Sequence, residues 1–444
     1  MSNGQWRKRI LAMGLLCTAV LWPTAVGAQE DVNSLKAELE AQKHKQAELT
    51  DRINQLEARQ KLKEKSLNEK IEQATAVKPQ EKKKEDVIPE SLKWASKLTW
   101  SGDLRYRYEY IDDDGADSDE RHRNRIRARL GLGVKVNDEW DLGFRIATGN
   151  GEVSGDPVST NQTLDEAFSR KPFWLDQAYF GYHPQWFKGF NVLGGKMENP
   201  FYKVGKNELI WDSDLTPEGV ALTYGLPLCE KTTLTWAAGG FWVNEESSGG
   251  DTSLWGLQGH VKHQFSKPTY LLGGAGWYDY GNIQGEESLA DEWNDDNDGF
   301  FGNTPAAGDV FALDYDLFEL FAEFGTEIAK RPVAIFGNYV QNTAARDDDT
   351  GWLVGLQVNK AKDPGSWQFE WDYRDLERDA VVGQFTSSDF IGGGAGGEGH
   401  RFAFGYVLAK NVAANLAYYR NEFDRPGIEG EDYDRFQFDV AVKF

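Results

Sequence analysis

Apolar and polar residues alternate along most of the chain, from Trp94 to the carboxyl end. Between Leu104 and Tyr110, every even-numbered residue is apolar or aromatic and every odd-numbered residue is charged. A period of two places successive side chains on opposite faces of a β-strand, so the pattern predicts strands with one polar and one apolar face. Sixteen such runs follow one another, at residues 104–110, 121–130, 140–148, 173–182, 190–195, 219–225, 232–243, 253–265, 269–280, 316–328, 333–341, 350–359, 367–374, 400–408, 412–422 and 434–444.

The connections between these runs alternate in length. Seven are short, such as 137–139 and 409–411, and the eight others are mostly longer and rich in Asp and Gly, such as 149–172. Short turns at one end and long loops at the other are typical of outer-membrane barrels. We therefore predict an all-β fold, a 16-stranded antiparallel transmembrane β-barrel over residues 94–444. A soluble β-sandwich, which also alternates, is the competing interpretation.

The apolar faces of the predicted strands are rich in aromatic residues. Phe436 and Phe438 share a face with the terminal Phe444, and Trp367 and Trp371 share a face of another strand. Lipid-facing girdles have this composition, because aromatic side chains with a polar group lie well at the headgroup boundary. The aromatic residues therefore favour a membrane barrel over a sandwich core.

Residues 31–75 follow a different pattern, without Gly or Pro and rich in Lys, Glu, Gln, Ala and Leu, which is typical of helix. With Val32 at heptad position a, seven of the twelve a and d positions are apolar. We predict a short α-helical coiled coil over residues 29–75, joined to the barrel by a linker at 76–93. A coiled coil implies self-association, whereas a lone charged helix or a disordered tether is the alternative.

The first 28 residues have the pattern of a secretory signal peptide. Basic residues at 7–9 precede an apolar stretch at 10–22, and small residues at 26–28 suit cleavage. An anchor helix is the alternative, but Pro23 and the short apolar stretch argue against it, since a bilayer span needs about 20 residues. We predict location in the bacterial outer membrane. An even strand number returns both barrel ends to one side, which places the coiled coil in the periplasm.

The charge balance narrows the choice of partners. The chain has 71 acidic and 49 basic residues and a formal net charge of −22, with a mean hydropathy of −0.60. Because the excess is acidic, we expect no nucleic-acid partner. Cys17 lies in the predicted signal peptide, so Cys229 would remain without a disulfide partner in the same chain.

Charged residues on the polar faces of the strands are candidates for lining a channel. Cations that face lipid would each cost about 2–4 kcal/mol near the midplane, so we assign those of the first three strands to the interior. This predicted basic wall comprises Arg105, Arg107, Arg121, Arg123, Arg125, Arg127, Arg129 and Arg145. The predicted acidic wall comprises Glu319, Glu323, Glu327, Glu370 and Asp372, and the third long connection, residues 196–218, adds Glu198, Glu208, Asp212 and Asp214.

Two walls of opposite charge predict a transverse field that favours charged and dipolar solutes over apolar ones. In this interpretation, residues 196–218 form a constriction loop, by analogy with other sixteen-stranded barrels. The alternative is that these charges only solvate a wide lumen or pair across strands.

Three segments at the start of the predicted barrel resemble a known family. They are residues 97–109 (KLTWSGDLRYRYE), 123–140 (RNRIRARLGLGVKVNDEW) and 143–149 (GFRIATG). These segments are similar to the opening of the "putative porin" family of bacterial outer-membrane proteins, and the similarity is looser after them. The resemblance implies a diffusion channel and a homo-oligomer, most simply a trimer, and the family supplies no catalytic motif.

Motifs for catalysis or cofactor binding are not found in the sequence. Residues 294–299 resemble the first half of a calcium loop, but Pro305 stands where the acidic twelfth ligand would be. A solvated acidic loop is therefore favoured there. We expect no enzymatic activity, no cofactor and no metal site.

The expected function is that of an outer-membrane porin, an aqueous channel for passive diffusion of small hydrophilic solutes and ions. Its expected surroundings are outer-membrane lipid and lipopolysaccharide. The alternative is a structural envelope tether or adhesin anchored by the barrel, and an outer-membrane hydrolase comes third. Strand number favours the channel, because about eight strands fill their own interior whereas sixteen leave an open one.

Overall fold

The computed structural model describes residues 30–75, 90–115, 120–150, 155–247, 250–289 and 299–444. The predicted signal peptide, most of the predicted linker and the segment 294–298 of the calcium-like loop lie outside the described residues. The chain divides into two compact units, Met1–Val87 and Ile88–Phe444.

The amino-terminal unit contains one helix, α1 (Glu30–Thr75), which spans the region that the composition predicts to be helical. Three apolar side chains at predicted a and d positions, those of Leu49, Ile53 and Leu56, are more than half exposed in the single chain. The coiled coil therefore remains a prediction that requires further copies of the helix. Within the described residues, no helix combines the length and apolar character needed to cross a bilayer.

The second unit begins with a 3₁₀ helix, Glu90–Lys97, which leads directly into sixteen long strands. The strands are β1 (Leu98–Asp113), β2 (Arg121–Lys135), β3 (Trp140–Thr148), β4 (Phe173–Tyr182), β5 (Phe190–Lys196), β6 (Glu218–Cys229), β7 (Thr232–Asn244), β8 (Thr252–Gln264), β9 (Tyr270–Gly281), β10 (Tyr315–Ile328), β11 (Arg331–Asn342), β12 (Thr350–Asn359), β13 (Trp367–Leu376), β14 (Gly397–Ala409), β15 (Val412–Phe423) and β16 (Asp432–Lys443). A two-residue strand, Gln162–Thr163, adds to the edge of β2 beyond the end of β3.

Each long strand pairs antiparallel with the next, and β1 also pairs with β16, which closes the barrel. At this closing seam Tyr106 lies opposite Val440, and on its other side Tyr106 lies opposite Ile126. Closure gives every strand two partners, so no backbone edge is left open to lipid. The predicted 16-stranded antiparallel barrel is confirmed.

The connections follow the predicted alternation of short and long. The short ones include two-residue turns such as 329–330, where Ala329 and Lys330 both have left-handed backbone angles, φ 51° and 63°. A tight hairpin needs this geometry, because its twist matches that of the flanking strands. The strands and their turns thus form a regular cylinder, with all short connections at one end and all long ones at the other.

Side chains alternate across the barrel wall as the period of two predicts. On β16, Phe436, Phe438 and Val442 point outward and are exposed, whereas Arg435 and Gln437 point inward and are buried. The outer surface is therefore an apolar band, as contact with lipid requires. The inner surface is polar and charged.

Three long connections fold into the cylinder. They are loop 3 (residues 197–217), the described parts of loop 5 (residues 282–289 and 299–314) and loop 7 (residues 377–396), and all three contribute to one apolar cluster inside the barrel. Phe201 and Trp211 of loop 3 are buried there, with their ring centroids 4.9 Å and 5.1 Å from that of Tyr278 on β9. The loops thus fill part of an interior that sixteen strands alone would leave wide.

Deleting Phe444 should lower the yield of assembled barrel. Its backbone N–H donates to the carbonyl of Gly102 at 3.0 Å, and its carbonyl accepts from the Gly102 N–H at 3.2 Å, so it extends the closing seam. Without these bonds, backbone groups at the edge of β1 would lose their partners in the membrane. We expect less heat-modifiable folded protein in outer membranes, measured by gel mobility. Phe444→Tyr keeps both bonds and serves as the control, and equal yield from the deletion would contradict the prediction.

Candidate functional site

Most of the predicted basic wall points into the barrel. The arginines that alternate inward on β1 and β2 are Arg105, Arg107, Arg123, Arg125, Arg127 and Arg129. On β3, Arg145 pairs with the carboxylate of Asp176 on the neighbouring strand β4. These side chains are buried or half-buried, so the wall lies within the protein and is not a fully solvated face.

The register of β1 and β2 places arginines directly opposite one another. Arg105 lies opposite Arg127, and Arg107 lies opposite Arg125. Like charges in this position repel each other, so the arrangement requires carboxylates close by.

Glu109 supplies the central carboxylate, and its side chain is fully buried. It accepts hydrogen bonds from Arg435 at 2.9 Å, from Arg107 at 3.3 Å and from Arg123 at 2.5 Å. The Nη1 atom of Arg125 lies 3.9 Å from its Oε1. One carboxylate therefore contacts four guanidinium groups. Three of these contacts are charge-assisted hydrogen bonds, which are stronger than hydrogen bonds between neutral groups.

Two further carboxylates complete this cluster, one from the wall and one from loop 7. Asp439 on β16 accepts the Nε and Nη2 donors of Arg107 at 2.7 Å and 2.9 Å. Asp389 of loop 7 lies 2.8 Å from Arg435 Nη2 and 3.4 Å from Arg107 Nη1. Burial alone would raise the pKa of Asp389, but Arg435 and Arg107 hold that pKa below its ordinary value. Loop 7 is thus fixed to the wall by ion pairs.

Loop 3 is fixed to the same wall by Asp214. Its Oδ1 lies 3.2 Å from Arg129 Nη1, and its Oδ2 accepts the Thr160 N–H and hydroxyl at 3.1 Å and 2.8 Å. Burial alone would raise the pKa of Asp214, but Arg127, Arg129 and the Thr160 hydrogen bonds hold it below the ordinary value. Asp103 supports both arginines from β1, at 2.9 Å from Arg127 Nη2 and 2.8 Å from Arg129 Nε.

Loops 3 and 7 are also bonded to each other. The Ser388 N–H donates to Asp212 Oδ2 at 3.0 Å, and the Ser387 hydroxyl donates to Glu208 Oε2 at 3.1 Å. Burial, and then the charges of Glu208 and Asp214, raise the pKa of Asp212 well above its ordinary value. The two loops therefore form one inward-folded unit.

Two residues of the predicted acidic wall are covered by loop 3. Glu319 is buried and accepts hydrogen bonds from Tyr278 at 2.7 Å and Gln258 at 2.9 Å. Glu323 accepts the backbone N–H of Gly205 in loop 3 at 3.2 Å. This differs from the predicted open acidic wall, because the period of two fixes where a side chain points but not what covers it. Glu323 anchors loop 3 directly, whereas Glu319 bonds Gln258, whose side chain in turn bonds the backbone of Tyr202 in loop 3.

The other two inward carboxylates of that wall are paired with arginine. Arg401 on β14 lies 3.0 Å from Glu370 Oε2 and 2.7 Å from Asp372 Oδ2. Arg374 lies 3.6 Å from Asp372 Oδ1. This side of the barrel is therefore charge-compensated as well.

Three predicted residues lie apart from these clusters. Arg121 at the start of β2, Glu198 at the start of loop 3 and Glu327 near the end of β10 are all exposed. The barrel interior contains two cavities, and none of these three residues lines either of them.

Two adjoining cavities occupy part of the remaining interior. The larger, of about 540 Å³, lies towards the short-turn end, where Lys362 and Lys443 line it. The smaller, of about 310 Å³, is bordered by Asp389 of loop 7. The residues that line both are Lys206, Glu370, Ala403, Asn415, Leu416 and Asp439. The cavities therefore meet between loop 3 and strands β13–β16.

The charges around the cavities are distributed differently from the two opposed walls that the sequence suggested. Each side contains both signs, with Arg107 beside Asp439 and Arg401 beside Glu370. Charges this close together largely cancel each other's field at larger distances. In the described part of the chain, no group of three or more His, Cys, Asp or Glu side chains is arranged to hold a metal ion.

Several residues of the site were missed by the sequence reasoning. Arg401, Arg435 and Asp439 occupy inward positions of β14 and β16, so the same period of two could have identified them. Lys206 and Asp389 lie in irregular loops, where no periodic pattern marks the side chains that reach the interior.

A closed antiparallel barrel with an apolar exterior and a charged interior narrowed by loops defines the class of outer-membrane channel proteins. The family model described as "Putative porin" matches residues 114–307 and 307–444. The chain belongs to this family, which confirms the family predicted from the sequence. No curated protein sequence matches the chain significantly.

Solved structures of bacterial porins share the architecture. OprB of Pseudomonas putida has 11% identity and a TM-score of 0.52, with 79% of this chain and 95% of that chain covered. OmpF of Salmonella typhi has 11% identity and a TM-score of 0.47, with 78% and 97% covered. OmpT of Vibrio cholerae, in its trimer form, has 13% identity and a TM-score of 0.44, with 78% and 99% covered. At this identity the comparison with OprB supports the barrel fold alone.

Replacing Glu109 by Gln should destabilise the barrel strongly. The substitution leaves several buried guanidinium groups without their carboxylate, and breaking a buried ion pair in this way costs about 3–5 kcal/mol. We expect a lower free energy of unfolding in lipid vesicles, measured by urea titration. Glu327→Gln, at an exposed carboxylate, is the matched control. Similar free energies for the two variants would show that the arginine cluster does not depend on Glu109.

Raising the pH should loosen the junction of loops 3 and 7. Because the folded-state pKa of Asp212 is raised, its stabilising contribution is complete below the unfolded-chain pKa and is lost as pH rises through the raised value. Asp212→Asn keeps an acceptor oxygen, cannot ionise and should remove this dependence. Hydrogen exchange in residues 377–396, corrected for intrinsic rates, should increase as the pH is raised progressively above the ordinary pKa of an aspartate, and only in the parent. The same increase in both proteins would exclude Asp212 as the cause.

Proposed function

We propose that the chain forms a channel for passive diffusion of small hydrophilic solutes and ions across the outer membrane. The observation that supports this most is the pair of adjoining cavities, about 310 Å³ and 540 Å³, inside the closed barrel. Their linings include charged and amide side chains, such as Arg105, Glu370 and Asn415. An apolar solute would displace water from these groups without replacing its hydrogen bonds.

The inward-folded loops restrict the passage to small solutes. Loop 3 and loop 7 occupy part of the cylinder and are held by ion pairs through Asp214 and Asp389. Since these loops are bonded to the walls and to each other, the passage between loop 3 and strands β13–β16 has a fixed width. A channel of this kind discriminates by size and charge and needs no conformational cycle.

The long connections suit the outer surface of the cell. Residues 114–120, 149–172, 197–217, 245–251, 282–314, 343–349, 377–396 and 424–431 together contain 33 acidic and 7 basic residues. We place this end of the barrel outside, where divalent cations can bridge the solvent-exposed acidic residues of these connections to anionic lipopolysaccharide. The short turns and α1 then lie on the periplasmic side.

A structural tether or adhesin is the second candidate. The exposed apolar side chains of α1, such as those of Leu49 and Ile53, support contact with other helices. A tether requires no aqueous path through its anchor, however, and the cavities are not explained by that role.

The assembly should be a trimer, as the heptad pattern and the porin family suggest. Native mass spectrometry in detergent should show three chains for the full-length protein. Deleting residues 29–75 should weaken the trimer without abolishing it, because the barrels would still contact each other. If the full-length protein gives only single chains, the proposed assembly is wrong.

Liposome swelling tests the proposed function directly. Vesicles containing the protein should swell in isotonic solutions of small sugars, and more slowly as the sugar becomes larger. Asn415→Trp places a large side chain where the two cavities meet and should slow swelling, whereas Asn415→Gln should change it little. Rates no higher than those of protein-free vesicles, with folded protein present, would contradict a diffusion channel.

A further inference from the structure

The turn at the tip of loop 3 presents one lysine to the interior. Val204 and Asn207 are buried, and the Asn207 amide donates to the Val204 carbonyl at 2.7 Å. Between them, Gly205 lies so close to Phe336 that a Cβ there would be 2.5 Å from the ring. Lys206 is exposed and has a left-handed φ of 59°. Because its neighbours are held against the core, the turn directs Lys206 away from it.

Lys206 lines both cavities and so lies where they meet. Within the described part of the chain, no carboxylate forms an ion pair with its ammonium group. The same holds for Lys362 and Lys443, which line the larger cavity at the short-turn end. These three cations are therefore available to a solute.

The two carboxylates that line both cavities together with Lys206 already have cationic partners. Asp439 accepts two hydrogen bonds from Arg107, at 2.7 Å and 2.9 Å, and Glu370 accepts one from Arg401 at 3.0 Å. Both negative charges are thus compensated by guanidinium groups at short distance. Asp439 and Glu370 therefore contribute little net negative charge at the junction.

Arg105 adds a further cation to the lining of the larger cavity. Its Nε is buried and has no hydrogen-bond partner among the described residues. The charged residues that line this cavity are Arg105, Arg127, Lys206, Lys362 and Lys443, against Glu370 and Asp439. The lining is therefore cationic in a protein whose formal net charge is −22.

We propose that the junction of the two cavities binds the oxyanion groups of small solutes, carboxylate or phosphate, with Lys206 as the central cation. The channel consequently conducts anions in preference to cations. This inference rests on the proposed diffusion function and specifies its solute class.

The acidic loops at the mouth do not reverse this preference. In salt of about 0.15 M, charges separated by more than about 8 Å of water are largely screened. The mouth is open to solution, whereas the side chains at the junction face a confined passage with little room for counterions. The charge at the narrow junction therefore controls which ions pass.

Reversal potentials in planar bilayers test the preference. With a KCl gradient across the membrane, the parent should show a higher permeability for chloride than for potassium. Lys206→Gln should lower the chloride-to-potassium permeability ratio, and the triple variant Lys206→Gln, Lys362→Gln, Lys443→Gln should lower this ratio further. Lys267→Gln, in the short turn 265–269 and outside both cavities, should leave the ratio unchanged.

Competition by oxyanions tests binding at the junction. Added inorganic phosphate or acetate should reduce the chloride current, and Lys206→Gln should raise the half-blocking concentration about threefold, as loss of one exposed ion pair implies. Block by phosphate alone would assign the site to phosphate groups, and block by acetate alone would assign it to carboxylates.

The outcomes separate this inference from the proposed function. A conducting parent that prefers potassium, or that is unaffected by Lys206→Gln, overturns the anion site and leaves the channel intact. A folded parent without any current overturns both. Heat-modifiable gel mobility checks that each variant is folded, which we expect because the three replaced lysines make no ion pair within the described structure.

Discussion

A membrane-spanning backbone has no water to bond with, and this constraint explains the architecture. Every N–H and C=O in the apolar layer needs a partner within the protein, which a cylinder of strands achieves only if its first and last strands meet. Here β1 and β16 pair from Asp103 opposite Lys443 to Asp113 opposite Tyr433. Closure in turn forces alternate side chains outward into lipid and inward into the lumen.

The inward side chains create a second requirement, because a cluster of arginines cannot be buried without carboxylates. The structure meets it with residues from distant parts of the chain, namely Glu109, Asp439 and Asp389 around Arg107 and Arg435. Since Asp389 belongs to loop 7, the ion pairs that neutralise the wall also hold a loop inside the barrel. The same ion pairs therefore neutralise the arginines and narrow the passage.

The sequence predicted the repetitive part of the molecule well and the irregular part poorly. Strand number, closure and the inward direction of Arg105 or Glu370 follow from a period of two, which is a local property. The packing of loop 3 against strands far along the chain determines two other features of the site. It covers Glu323 with Gly205, and it brings Lys206 to the junction of the cavities. Such packing leaves no periodic signal, so only coordinates reveal it.

A diffusion channel requires that the closed barrel contain a continuous aqueous path past loops 3 and 7. Single-channel recording in planar bilayers tests it most directly. We expect discrete current steps whose conductance rises with KCl concentration, because ions cross through a water-filled passage that is open without a ligand. Folded, heat-modifiable protein that inserts into the bilayer and produces no steps would contradict it, since the two cavities would then end blindly within the barrel.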